Sequence, residues 1–142
     1  MKTLLVPCDG SENALRALMH AALKVQDSCV PVKVDLLHVL DPISFRAPDA
    51  VLSSEGLRRL HPREAERALQ AARAMLGEAG IAFRESCRIG QPADEIADHV
   101  REHGHASIVM GTRGLGPVAS LVLGSVASRV VGLVRVPVTL VK

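Results

Sequence analysis

Two glycine clusters stand out as residues able to do chemistry. Gly111-Thr112-Arg113-Gly114-Leu115-Gly116 comes first, and nine residues separate Gly114 from Gly124-Ser125. Glycines let backbone N–H groups approach phosphate oxygens closely, and a helix beginning near Ser125 would add its first N–H groups and the positive end of its dipole. Ser125 would contribute a hydroxyl, and Arg113 could pair with a phosphate or with the loop itself. The pattern points to anion binding. It contains no Gly-Lys-Ser/Thr, so the lysine that P-loop enzymes place on the β and γ phosphates is missing, and no arginine or carboxylate pair forms a water-activating set.

Other reactive side chains carry plainer readings. Asp9 follows the first apolar run and could meet a ligand or cap the turn that comes next. His99 and His103 lie four apart on an expected helix and His105 follows; with no cysteine nearby and no third ligand at a known spacing, they are expected at the surface and no metal site is assigned. His38, at the end of an apolar strand, could act as a base but suits a satisfied core or pocket-rim histidine better. Cys8 beside Asp9 reads as a small buried thiol, because a neighbouring carboxylate suppresses the thiolate.

These residues need elements to position them. Thr3 to Val6 is a short apolar run closed by Pro7, which reads as a buried strand. Ser11 is an N-cap for a helix over 12–26. Residues 32–40 begin with alternation and end fully apolar, as a second strand would. Residues 41–53 read as a loop, 54–79 as a long helix with Pro62 at a kink or a fresh start, and 81–89 as a third strand. Pro92 opens a third helix running to about His103, 106–111 is a fourth strand, 125–134 a fourth helix and 136–141 a fifth strand. The alternation predicts an α/β fold with a parallel sheet, helices on both faces and ligands at the carboxyl ends of the strands. The stretch Arg58 to Arg73, interleaved with Glu64 and Glu66, reads as a charged outer helix face.

Composition narrows the function. The 142 residues suit one domain, 48% are hydrophobic, and Phe45 and Phe83 are the only Phe, Trp or Tyr residues. Base stacking on aromatics is therefore an unsuitable mode of nucleic-acid binding. The net charge of +2 is spread along the chain, with no basic block to grip a phosphate backbone or a membrane. No apolar run suits a signal peptide or a membrane span, and three separated cysteines suit reduced thiols, so a cytoplasmic protein is expected.

Gly111-x2-Gly114-x9-Gly124-Ser125 resembles the glycine motif of the ATP-binding branch of the universal stress protein family. The opening Val6-Pro7-Cys8-Asp9-Gly10-Ser11 and the closing Val136-Pro137-Val138-Thr139-Leu140-Val141 are similar to the family's first and last strands. The resemblance implies a Rossmann-like five-stranded sheet in order 3-2-1-4-5, with ATP over the ends of strands one and four. Asp9 would then face the ribose or a metal-bound phosphate, Val39 would meet adenine through its backbone, and Met110 would line the pocket. Gly111, Arg113, Gly114, Gly124, Ser125 and Val126 would surround the phosphates, with Pro7 and Gly116 completing the set. Mg2+ is a reasonable companion, ligated by Asp9 or Ser125. The resemblance further implies a homodimer through residues 136–141 and a regulatory, stress-response role with at most slow hydrolysis. An enzyme of nucleotidyl or phosphoryl transfer, and a dimeric module without a nucleotide, are the alternatives.

Overall fold

Leu4, Leu5 and Val6 are all buried, and such a run without alternation forms a strand covered on both faces. The computed structural model describes residues 1–42, 54–114 and 123–142, with residues 54–61 and 64 described through their backbone alone; most of the expected loop at 41–53 lies outside the described residues. In chain order the elements are β1 (Lys2–Pro7), α1 (Glu12–Gln26), β2 (Val32–Leu40), α2 (Ser54–Glu78), β3 (Phe83–Ile89), α3 (Pro92–His103), β4 (Ser107–Gly111), α4 (Ser125–Leu133) and β5 (Val138–Val141). The strands form one parallel sheet in the order β3-β2-β1-β4-β5.

Local chemistry sets the element boundaries. The Ser11 hydroxyl accepts from the Ala14 N–H at 3.1 Å and caps α1. Ala14, Ala17, Leu18, Ala21 and Ala22 then form its buried stripe, small enough for the helix to lie close to the sheet. Pro62 sits inside α2, which continues through it, so the expected fresh start is not needed; proline costs one backbone donor, and a 25-residue helix has many others. β3 begins at Phe83 rather than at Ile81 because the Ile81 N–H still donates to Leu76 O at the end of α2, 3.0 Å away. β5 begins at Val138 rather than at Val136, since Pro137 offers a carbonyl to Ile108 but has no N–H to return. Arg73 of α2 pairs with Glu66 on its own helix and Glu85 on β3, consistent with a charged outer face.

The core has two halves divided by the sheet. Val6, Val34, Leu36 and Val109 face α1 and α2, together with Leu18, Leu69 and Leu76. Leu5, Leu37, Ile108 and Met110 face α3 and α4, together with Ile96, Val100 and Val130. One strand carries a charge inside. The alternation at the start of β2 places Asp35 among apolar neighbours, and it is 0% exposed on the side covered by α3. Leu36 is also fully buried, so Leu36→Ala should remove about 2–5 kcal/mol of stability at an unchanged m-value, measured by denaturant unfolding.

Candidate functional site

The carboxyl ends of β1 and β4 lie side by side at the centre of the sheet, where the strand order reverses. From β1 the chain leads into Asp9, whose Oδ1 accepts from the Ser11 N–H at 2.9 Å. The turn-capping role is thus present, and the other carboxylate oxygen is turned to the β4 loop. A Cβ on Gly114 would stand 2.6 Å from Asp9 Oδ2, closer than a real side chain can approach. A side chain at Gly114 would have to push the Asp9 carboxylate aside, because the β4 loop passes directly over it.

The second glycine cluster folds back onto the first. The Gly124 N–H donates to Thr112 O at 2.5 Å, and a Cβ at Gly124 would meet that same oxygen at 3.0 Å. Gly124 is the N-cap of α4 and, having no side chain, leaves the first turn of that helix without a side-chain cap. The N–H groups of this turn start where Thr112, Arg113 and Gly114 leave β4. Ser125 is exposed, Val126 half-buried and Arg113 exposed. Gly116 lies outside the described residues.

Asn13 holds this arrangement together and was not singled out from the sequence. Its Oδ1 accepts from the Arg113 N–H at 2.7 Å, and its Nδ2 donates to Val141 O at 3.0 Å. Thr112 N–H donates to that same Val141 carbonyl at 2.9 Å. One buried amide thus joins the start of α1, the loop after β4 and the end of β5. A signal existed: Asn13 shares the i, i+4, i+8 stripe of Ala17 and Ala21, and a polar side chain on a buried stripe must find partners.

The other expected residues occupy two environments. Pro7 is half-buried at the end of β1 and Val39 half-buried at the end of β2. Met110 is buried at 5% exposure among the α3 and α4 side chains, so its backbone, at the end of β4, is the part nearest the glycine loop. His38 lies within 3.0 Å of Cys8 O through Nδ1. A carbonyl only accepts, so Nδ1 carries the proton and Nε2 is left as a buried acceptor without a partner among the described residues. Thr112 Oγ1 is likewise buried and has no partner among the described residues. Buried polar atoms of this kind call for a water or a ligand, and both belong to residues at strand carboxyl ends. Cys8 is buried, and its thiol is pushed up to about 12 by burial first and by the Asp9 charge second.

One expectation fails outright. His103 is at the surface, but His99 and His105 are each 3% exposed and face Asp35 beneath α3. The helix turns His99 inward with Ile96 and Val100, and the chain re-enters the sheet immediately after His105, so neither imidazole reaches solvent. A shallow depression lined by Lys2, Thr3, Lys24, Val25 and Ala106 lies at the opposite, amino end of the strands. No helix among the described residues is long and apolar enough to cross a membrane.

Comparison with known proteins gives a consistent answer. The family model described as "Universal stress protein family" matches residues 1–142. The universal stress protein MJ0531 of Methanocaldococcus jannaschii is 32% identical over 141 residues, which cover 99% of this chain and 82% of that protein. The solved structure of MJ0577 from the same organism superposes with a TM-score of 0.81 at 28% identity, covering 99% of this chain and 95% of that one. A universal stress protein solved in complex with cAMP gives a TM-score of 0.71 at 25% identity, covering 99% and 97% of the two chains.

Two outcomes check this geometry. Asn13→Ala should cost about 1–3 kcal/mol in denaturant unfolding, because it leaves the Arg113 N–H without its acceptor. In the native protein, a thiol-reactive disulfide reagent should modify the exposed Cys29 and Cys87 and spare Cys8, which should react only after denaturation.

Proposed function

Because this chain belongs to the universal stress protein family, we propose that it binds ATP across the carboxyl ends of β1 and β4, and that bound nucleotide tunes the shape, stability or partner choice of a regulatory, stress-response protein. The observation that carries this reading is the fold-back of Gly124 onto Thr112, which joins two separate glycine clusters into one edge. The N–H groups of Thr112, Arg113 and Gly124 are bonded within the fold, so what that edge offers a polyphosphate is the uncapped first turn of α4 with its main-chain N–H groups. The absence of a side chain at Gly114 leaves Asp9 within reach of the same space.

Within this reading the residues divide by chemistry. Gly111, Arg113, Gly114, Gly116, Gly124, Ser125 and Val126 surround the phosphates; Asp9 serves the ribose or, with Ser125, a Mg2+ ion that keeps most of its waters. Pro7, Val39 and the backbone at Met110 border the base. The cAMP complex of a related protein supports an adenine nucleotide as the ligand class. Nothing in the residue set supplies the P-loop lysine, so slow turnover at most is expected. A cytoplasmic setting suits the three unpaired cysteines.

The edges of the sheet support a homodimer through residues 136–141. β3 closes one edge with Arg84, Glu85 and Arg88, charges that discourage strand addition. β5 closes the other with Val138-Thr139-Leu140-Val141, uncharged and with Leu140 exposed. A twofold copy would cover that edge.

Calorimetric titration of nucleotide-stripped protein with ATP, ADP and cAMP in Mg2+ tests the proposal. ATP should bind with micromolar affinity, about −8 kcal/mol, and Gly114→Val should abolish binding by driving a side chain into Asp9. Failure of every nucleotide to bind the folded protein would discard the reading and favour a nucleotide-free dimeric module.

A further inference from the structure

The most unusual chemistry in the molecule lies under α3, away from the nucleotide cleft. Asp35 occupies the middle of β2, paired in register with Leu5 of β1, four residues before Val39. At ~3.3 Å per residue this puts it about 13 Å below Val39. Its carboxylate is 0% exposed and heavily contacted. Ser86 donates to Oδ1 at 2.7 Å, while Oδ2 meets Arg84 Nη2 at 2.7 Å, Arg84 Nε at 2.9 Å, His99 Nε2 at 2.9 Å and His105 Nε2 at 2.9 Å. Four nitrogens crowd one oxygen, although a carboxylate offers about four lone-pair sites across both of its oxygens. Meanwhile Nδ1 of His99 and of His105 is buried without a partner among the described residues.

We propose that Asp35, His99 and His105 form a binding site for a divalent transition-metal ion of the zinc class. Asp35 Oδ2 and the two Nε2 atoms all lie within 4.8 Å of one another. A zinc ion at about 2.0–2.2 Å from each ligand holds them about 3.4 Å apart, so a small adjustment of the side chains converts the cluster into three tetrahedral positions. Two imidazoles with one carboxylate suit zinc and its neighbours rather than Ca2+ or Mg2+, which want oxygen ligands. The ligands come from a central strand and from a helix with its exit turn, elements whose packing holds them rigidly. His103 is exposed with its ring 4.4 Å from that of His99, and offers an incoming ion its first imidazole at the solvent edge of the cluster.

Burial pushes the Asp35 carboxyl up, but hydrogen bonds from His105, Arg84, His99 and Ser86 outweigh it and hold the group below the usual carboxylate range. Burial lowers the His99 imidazolium more than Asp35 raises it. Two features restrain affinity. The Arg84 guanidinium competes for Oδ2, although its side chain is 39% exposed and can swing into solvent. Each bound imidazole must also carry its proton on Nδ1, where no acceptor stabilises it, and lost outer-shell support typically costs metal sites 10–100-fold, roughly. Micromolar rather than tighter binding follows.

Titration of metal-stripped, full-length protein with Zn2+, in a Cys29→Ser, Cys87→Ser background that removes the exposed thiols, tests the site. One ion should bind per chain and raise the Tm with Zn2+ concentration, and Co2+ should give the visible absorption of a tetrahedral centre. Arg84→Gln should tighten binding roughly tenfold, since a competing cation is gone, whereas His99→Gln and His105→Gln should abolish it. If either histidine variant fails to fold, Arg84→Gln, which keeps all three ligands, decides. Absence of Zn2+ binding to both the background protein and its Arg84→Gln variant would overturn the proposal and leave a charge-neutral hydrogen-bonded network. Undiminished binding in the folded histidine variants would also overturn it.

Discussion

A parallel sheet covered by helices on both faces is the constraint on which everything else in this molecule depends. Its central strands must be apolar on both sides, as Leu4, Leu5 and Val6 of β1 and Ile108 and Val109 of β4 are. Polar recognition is therefore driven to the strand ends, where backbone groups leave the ladder and small residues permit close packing. At the carboxyl end this produces the meeting of Asp9 with Gly114 and of Gly124 with Thr112. The same contacts that close the fold also shape the edge proposed for a phosphate, so folding and the proposed binding would draw on one set of residues.

Asn13 shows how this coupling works. A single buried amide satisfies a donor in the β4 loop and an acceptor at the end of β5, while α1 fixes its own position through the Ser11 cap. The β4 loop is thus referenced to the first helix and to the edge strand together. Any event that moves β5, such as pairing with another copy, acts on the carbonyl shared by Asn13 and Thr112. A physical link between the sheet edge and the glycine loop is therefore built from two hydrogen bonds.

Asp35 is the exception that the constraint makes conspicuous. A carboxylate at the centre of a covered sheet costs several kcal/mol of desolvation on general grounds, and here Arg84, Ser86 and two imidazoles surround it. The β3 edge gains from the same cluster, since Arg84 reaches inward to Asp35 while Arg88 pairs with Glu95 and Glu102 of α3. Charge on this edge both anchors α3 and blocks strand addition, which leaves β5 as the apolar edge.

Periodicity and local chemistry made the element order and the two-faced sheet legible without coordinates. Ser11 announced α1, Pro92 announced α3, and the spacing of Gly114 and Gly124 announced a loop closed by a helix start. Boundaries moved only where a backbone donor was spoken for or absent, as at Ile81 and Pro137. Side-chain partnerships across the sequence were a different matter. Asn13 reaches residues 100 and 128 positions away, and the Asp35 cluster draws on side chains 49 to 70 positions away. Hydropathy reports whether a residue is polar; it does not report whether distant donors will gather around it once buried. The sequence by itself determined the fold and the glycine edge, because those follow from local spacing and backbone freedom. Only the tertiary structure decided that Asn13 ties three elements and that His99, His105 and Asp35 share one buried centre, because long-range packing alone brings those groups within bonding distance.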